Sequence, residues 1–326
     1  MVDNASLLIA LVHLINVIPL PPPSSRRRGR PVVYSDRLFL KALVIMIVRH
    51  LSTVHALLAI LEQPTPEMQH LRFLLTEDGH YPCRRTFERR LNALPATLPA
   101  QVACLGRHLV ELIQPFATCG RAAALDSTIL HARGGVWHKK YREAGEVPHT
   151  SIDTEAHWTK SGWHGWVYGW KLHVAAVVAA VWIPLAAELT PANRADNEEA
   201  PALVRALPPQ VRYVLGDVHY NDPELRQLCD DGGQILITTR RGPYPHTDGG
   251  VELRRVFHKL RSLAMENFNE HLKGIFGVHG SVPTKGLRNT QRFALGAILV
   301  YQLALLYRHE HRLDLNVGLK PFLQAA

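Results

Sequence analysis

The sequence predicts an α/β chain in which a mixed five-stranded sheet, flanked by helices, is preceded by an all-helical region. Three observations carry that expectation. Helical periodicity fills the N-terminal third; three apolar runs follow one another after about Gly120; and helix and strand patterns alternate from there on.

Taken in order, Leu7, Leu8, Leu11, Leu14, Ile15 and Ile18 recur at helical spacing until the proline-rich run Pro19 to Pro23 stops the pattern. Arg26, Arg27, Arg28 and Arg30 follow at once, and both a solvated tail and a contact with DNA phosphates fit such a block. Ser35 is the expected N-cap of one helix from Asp36 to roughly Ile60, whose broad apolar face demands burial. After a turn at Gln63 to Pro66 and a further helical stretch, Thr86 is the expected cap of a short basic helix. Arg84, Arg85, Arg89 and Arg90 cluster there, as on the second helix of a helix-turn-helix or on a solvated helix of a bundle. From Gly120 the runs Arg121–Ile129, Trp166–Val178 and Val181–Leu189 read as a β-meander. Helices at Asn197–Leu207 and Pro223–Leu228 alternate with strands at Val211–Gly216 and Gln234–Thr238, and helices at Arg254–Gly274 and Arg288–Arg312 close the pattern. That order is the order of a ribonuclease H-like sheet, and it excludes a plain doubly wound domain.

Lys and Arg number 37 against 28 Asp and Glu, a net charge of +9 with histidine neutral, which favours a polyanionic partner such as nucleic acid or an anionic membrane surface. An apolar share of 47% excludes a disordered chain. Cys83, Cys104, Cys119 and Cys229 fit neither a zinc knuckle nor a disulfide framework and read as reduced structural thiols. The apolar stretches Ala5–Leu20 and Phe293–Tyr307 fall short of the roughly 20 residues that cross a bilayer, so a cytoplasmic protein without membrane contact is expected. Neither a phosphate-cradling glycine loop, a G-x-S-x-G elbow nor an H-E-x-x-H helix occurs, which leaves ATP hydrolysis, serine chemistry and zinc-protease chemistry without support.

Three carboxylates stand out. Asp126 interrupts the apolar run Ala122–Ile129, an unfavourable place for a charge unless it is paired or bound to metal. Asp217 ends the strand Val214–Gly216, at the edge where α/β sheets bind their ligands. Glu266 lies in the helical segment from Leu263 to Asn269. Two divalent cations about 3.5–4 Å apart need shared hard oxygen ligands of this kind. Asp222, in Asn221-Asp222-Pro223, fits a helix cap, and Asp196, Glu198 and Glu199 fit a helix start favourable to its dipole. Trp158, Trp163, Trp166 and Trp170, interleaved with Lys160, His164 and Lys171, suit either aromatic packing or stacking on unpaired bases.

The local sequence around these residues resembles the DDE-type transposases of bacterial insertion sequences. The blocks are Ala124-Leu125-Asp126-Ser127-Thr128, Ile152-Asp153-Thr154-Glu155-Ala156-His157-Trp158 leading to Tyr168-Gly169-Trp170-Lys171-Leu172-His173, Leu215-Gly216-Asp217-Val218-His219-Tyr220, and Glu266-Asn267-Phe268-Asn269-Glu270-His271-Leu272-Lys273. Matches continue through Thr284-Lys285-Gly286-Leu287-Arg288-Asn289. The resemblance implies a ribonuclease H-like catalytic domain that holds two Mg²⁺ or Mn²⁺ ions on Asp126, Asp217 and Glu266. Lys273, seven residues after the glutamate as in the family, would orient phosphate. The tyrosine and arginine that usually precede the glutamate are here Lys259 and Ser262, with Arg261 one place off and Lys259 a replacement phosphate contact.

The expected organisation is a helical DNA-binding region over 1–115 with its Arg-rich segment at 26–30, a catalytic domain over 116–280 and a C-terminal helix over 281–326 packed on it. The expected activity is cleavage at the terminal inverted repeats of a mobile element and joining of the 3′-hydroxyl to target DNA. A homodimer acting on two ends, in a bacterial cytoplasm at the nucleoid, completes the expectation. Arg26, Arg27, Arg28, Arg30, Arg84, Arg85, Arg89, Arg90, Lys171 and Lys259 are the expected DNA contacts. A catalytically silent or domesticated DNA-binding protein of the same fold is the alternative, and a structure-specific nuclease a third.

Overall fold

The computed structural model describes residues 7–22, 33–115, 121–162, 165–238, 248–278, 280–315 and 319–324. Helices α1 (Leu7–Leu14), α2 (Asp36–Val48), α3 (Val54–Leu61), α4 (Pro66–Leu74), α5 (Arg84–Ala93) and α6 (Leu98–Ile113) form the N-terminal part. The single helix expected from Asp36 to Ile60 is two. Ser35 caps α2 as expected, its hydroxyl accepting from the Leu38 amide at 3.3 Å. The chain then turns, with His50 at φ 53°, and Thr53 caps α3 by accepting from the Ala56 amide at 3.1 Å. A hydroxyl residue inside an apolar run can start a new helix as readily as decorate an old one. Thr86 is no cap: Cys83 holds that position, and Thr86 lies in the first turn of α5.

The sheet has six strands rather than five: β1 (Ala122–His131), β2 (His157–Ser161), β3 (Gly165–Val177), β4 (Pro184–Pro191), β5 (Tyr213–Gly216) and β6 (Ile235–Thr238). The order β4-β3-β1-β5-β6, with β3 antiparallel to β1 and β4 and the rest parallel to β1, is the predicted ribonuclease H-like arrangement. The unpredicted β2 pairs with the first residues of β3, Gly165 to Gly169, ahead of the stretch that β4 occupies on the same edge. Pairing of β1 with β5 stops at Ala124, so the rest of β1, Asp126 included, runs past the end of its neighbour.

Helices α7 (Lys139–Glu143), α8 (Asp196–Ala206), α9 (Pro223–Asp231), α10 (Asp248–Phe276), α11 (Leu287–Glu310) and α12 (Leu319–Gln324) complete the described chain. Asp222 caps α9 as expected, accepting from the Glu224 and Leu225 amides. Among the described residues no helix is long and apolar enough to cross a membrane, and Cys83, Cys104 and Cys229 are free thiols.

The α11 helix, expected to pack on the catalytic domain, is buried along nearly its whole length and touches α1, α2, α5 and α6 as well as β4. One continuous apolar core therefore runs from α1 through α11 into the sheet. Gln302, fully buried, ties it together by donating to the carbonyls of Val102 on α6 and Pro184 on β4, both at 2.9 Å. Beside it Gly106 lets α6 approach β4 so closely that a Cβ there would stand 2.2 Å from the Pro184 oxygen. Gly106→Ala is thus expected to lower stability by about 1–3 kcal/mol. Gly162→Ala, with nothing within 4 Å of its Cβ, is expected to change it by less than about 0.5 kcal/mol, both read from urea denaturation midpoints.

Candidate active site at the carboxyl edge of the sheet

Asp126 sits in β1 between the fully buried Leu125 and the half-buried Ser127. Successive strand residues face opposite sides. Asp126 and its cross-strand neighbour Val174 face α10, whereas Ser127 and its neighbour His173 face α8. Two side chains of α10 meet Asp126: Asn269 donates from Nδ2 to Oδ2 at 3.1 Å, and Arg261 places Nη1 3.7 Å from Oδ1. Both are buried. They are eight residues apart, so just over two helical turns present them on one stripe.

Burial pushes the Asp126 carboxyl up to about 7; the Arg261 guanidinium opposes that rise, and the carboxylates of Asp217 and Asp196 add to it. Asp126 and Asp217 are therefore close enough to repel, as the edge position of both predicts. Asp217 follows β5 directly and caps the short turn after it, accepting from the His219 amide at 2.8 Å. That turn delivers Tyr220, fully buried, against Gly216, where any Cβ would stand 2.6 Å from the tyrosine Cβ. Burial raises the Tyr220 phenol, and the charges of Asp196, Asp126 and Asp217 raise it further.

Sequence reasoning passed over Asp196. It begins α8 as expected, yet its carboxylate lies 3.1 Å from Lys171 Nζ and 3.6 Å from His173 Nδ1. Burial holds His173 well below the ordinary histidine range, so the ring is neutral, and its Nε2 meets the Thr190 hydroxyl at 3.0 Å. The signal available was Lys171 and His173 at alternate strand positions, two polar groups on one buried face. Arg261, noted in the sequence only as a displaced family arginine, is the cation that faces Asp126.

The remaining expected residues divide. Glu266 is exposed. It precedes Asn269 by three residues and so lies about 60° round the helix from the stripe that meets Asp126. Lys273, one turn beyond Asn269, is mostly buried and pairs with Glu270 at 3.7 Å. Among the described residues no group of three or more His, Cys, Asp or Glu side chains is assembled to hold a metal. Buried polar atoms without a hydrogen-bond partner nevertheless gather here: Asn269 Oδ1, Tyr220 OH and Arg261 Nε. Lys171, expected to touch DNA, is buried instead, donating to the Arg194 carbonyl at 2.9 Å and pairing with Asp196. Arg84, Arg85 and Arg89 are exposed on α5, while Arg90 pairs with Asp36 and lies over the Phe39 ring. Lys259 is exposed on α10; Arg26, Arg27, Arg28 and Arg30 lie outside the described residues.

Two of the sequence blocks meet away from the carboxylates. Asp153 accepts from the Gly286 amide at 2.8 Å and Glu155 from the Leu287 amide at 3.0 Å. Negative charge at the start of α11 satisfies its free amides and complements its dipole.

A family model described as a transposase DDE domain matches residues 117–303. Among solved structures, the chain is similar to the cryo-EM structure of a piggyBac transposase synaptic complex with hairpin DNA, at a TM-score of 0.42 and 11% identity over 99% of this chain and 76% of that one. No curated protein matches.

The raised Asp126 carboxyl sets a pH dependence for the metal-free protein. An unfolded chain releases this proton near the ordinary value of about 3.9, the folded chain at about 7, so the native state binds the extra proton and stability falls as pH rises between those values. In chelator, wild type is expected to lose about 2 kcal/mol more than Asp126→Asn between pH 5 and pH 7. Thermal melts of both proteins at the two pH values check this.

Proposed function

The chain belongs to the transposase DDE domain family, and from that membership we propose that it nicks DNA at the ends of its mobile element and joins the freed 3′-hydroxyl to target DNA. The observation that carries the reading is Asp126: a carboxylate in the middle of a buried strand, beside Asp217, at the one place where β1 outruns β5. A carboxylate so largely withdrawn from water is held where it is paired or binds a ligand, and perturbed carboxylates in such places cluster at functional sites.

The donors at this edge suit a hard cation. Asp126 and Asp217 supply carboxylate oxygens, and the unpartnered Asn269 Oδ1 is a neutral oxygen of the same class. In this reading Asp126, Asp217 and Glu266 would hold two Mg²⁺ or Mn²⁺ ions. Bound ions would activate the attacking hydroxyl and offset charge on the leaving oxygen. Asn269 and Arg261 orient the Asp126 carboxylate. Lys273, on the same side of α10, releases Glu270 to hold the phosphate. The exposed Arg84, Arg85, Arg89 and Lys259 contact the DNA backbone, the arginines at 26–30 extend that contact, and residues 1–115 recognise the terminal repeats. Two ends are processed together, so the working species is a dimer on DNA, at the nucleoid of a bacterial cell.

The exposure of Glu266 also favours a second reading, a catalytically silent DNA-binding protein of the same fold. Nicking of a supercoiled plasmid that carries the element's ends separates the two. Wild type is expected to nick it with Mg²⁺ or Mn²⁺ and not in chelator, and a structure-specific nuclease is set aside by recovery of joined products. Asp126→Asn, Asp217→Asn and Glu266→Gln are each expected to lower the rate by more than about 100-fold, and Asn269→Ala, which removes only an orienting hydrogen bond, by about 10–100-fold. Wild-type activity that survives Asp126→Asn defeats the assignment. Affinity for duplex DNA is expected to fall steeply with salt, the log–log slope being about −0.9 per phosphate neutralised; titrations at several salt concentrations measure it.

A further inference from the structure

Arg292, in the second turn of α11, is a buried cation without an anion. Only 6% of the residue is exposed, and its one hydrogen-bond partner among the described residues is the side-chain oxygen of Asn92 on α5, which accepts from Nη1 at 3.0 Å. A guanidinium carries five N–H donors, and a buried charge is ordinarily paired. Burial lowers the pKa of Arg292, and no neighbouring charge offsets that.

The residue lines a cleft of about 590 Å³ where α3, α5 and α11 come together. Among the described lining residues Glu88 is the one carboxylate, and Arg84 engages it at 2.8 Å. Asn92 lies one turn further along α5. A carboxylate there would have neutralised Arg292, and a neutral amide stands in its place. Helix α3 begins at the same cleft, with Thr53, Val54 and His55 in the lining. The Thr53 hydroxyl accepts from the Ala56 amide at 3.1 Å and keeps its own proton to donate. The amides of Val54 and His55, first in the helix, have no carbonyl within it to meet, and the helix dipole adds partial positive charge there.

An uncompensated guanidinium fork, a hydroxyl and a helix start with free amides share one complement, a tetrahedral oxyanion of two charges. We propose that this cleft is a phosphate site, in which Arg292 supplies the charge and the Thr53 hydroxyl and the first amides of α3 supply neutral donors. A phosphate held there joins α3 and α5 to α11, and so ties the early helices to the helix at the centre of the core. Inorganic phosphate and a phosphate of a DNA strand present the same oxygens, and the measurement separates them. The inference does not draw on Asp126 or on the activity proposed from it.

Full-length wild type, Arg292→Gln, Asn92→Asp and Asp126→Asn are melted in inorganic phosphate and in chloride matched for pH and ionic strength, and a short duplex DNA is titrated into each protein in both buffers. Wild type and Asp126→Asn are expected to melt about 2–4 °C higher in phosphate at roughly 20 mM, and Arg292→Gln and Asn92→Asp to lose most of that gain. Asn92→Asp supplies the missing carboxylate from within and is expected to melt in chloride at least as high as wild type, so its lost response is not a failure to fold. If the natural ligand is free phosphate, duplex affinity in chloride is the same for wild type and Arg292→Gln within about twofold. If it is a DNA phosphate, inorganic phosphate weakens duplex binding by wild type more than matched chloride does, and Arg292→Gln loses both the affinity and the competition. A wild type that melts alike in the two buffers and shows no competition overturns the proposal, and so does a phosphate response that persists in Asn92→Asp. Either failure leaves the catalytic reading where the nicking of plasmid by wild type and Asp126→Asn puts it.

Discussion

A carboxylate in the interior of a strand constrains everything around it. Asp126 keeps only about a fifth of its side chain open to solvent, so α10 crosses β1 with a donor and a cation aimed at it, and Asn269 and Arg261 fill those roles. The crossing fixes which stripe of α10 faces the sheet, and hence that Met265 and Phe268 go into the core while Glu266 stays at its margin. The same burial keeps the neighbouring polar atoms short of partners. Asn269 Oδ1 and Tyr220 OH each lack a hydrogen bond within the protein, and polar groups left in that condition mark a place suited to a further partner.

The motif blocks split between chemistry and architecture. Asp126 and Asp217 converge on the sheet edge. Asp153 and Glu155, equally acidic and just as prominent in the sequence, spend their charge on the first amides of α11. Gly286, at φ 83°, makes the turn that presents those amides. Acidic residues in such chains are therefore not interchangeable signals: two share a margin of the sheet where neighbouring strands end, and two lock a helix that spans the molecule.

Much of this was legible beforehand for a physical reason. Strand and helix periods are local, and so the order of β1, β3, β4, β5 and β6 and the limits of α8, α9 and α11 could be read to within three residues, whereas α10 begins six residues before its expected start. Capping is local too, but ambiguous: Thr53 started a helix that looked continuous, and Thr86 capped nothing. The short strand β2 lacked a periodic signal, since five residues with two aromatics do not distinguish a strand from a loop. The site was half legible. A charge in an apolar run marked Asp126, and a strand end marked Asp217. Asp196, Asn269 and Arg261 were invisible as a group, because what unites them is the crossing of α8 and α10 over opposite faces of a sheet, which no spacing along the chain encodes.

The placement of α11 has a temporal consequence. Its flanks are occupied by α2 and α6 from one side and by β4 from the other, so elements made early share their interior with a segment that follows them much later in the chain. Until that helix leaves the ribosome, neither the early helices nor the sheet has a closed interior, and the emerging chain must be shielded from aggregation meanwhile. A chain cut short before α11 therefore lacks the element that closes the shared interior of the early helices and the sheet.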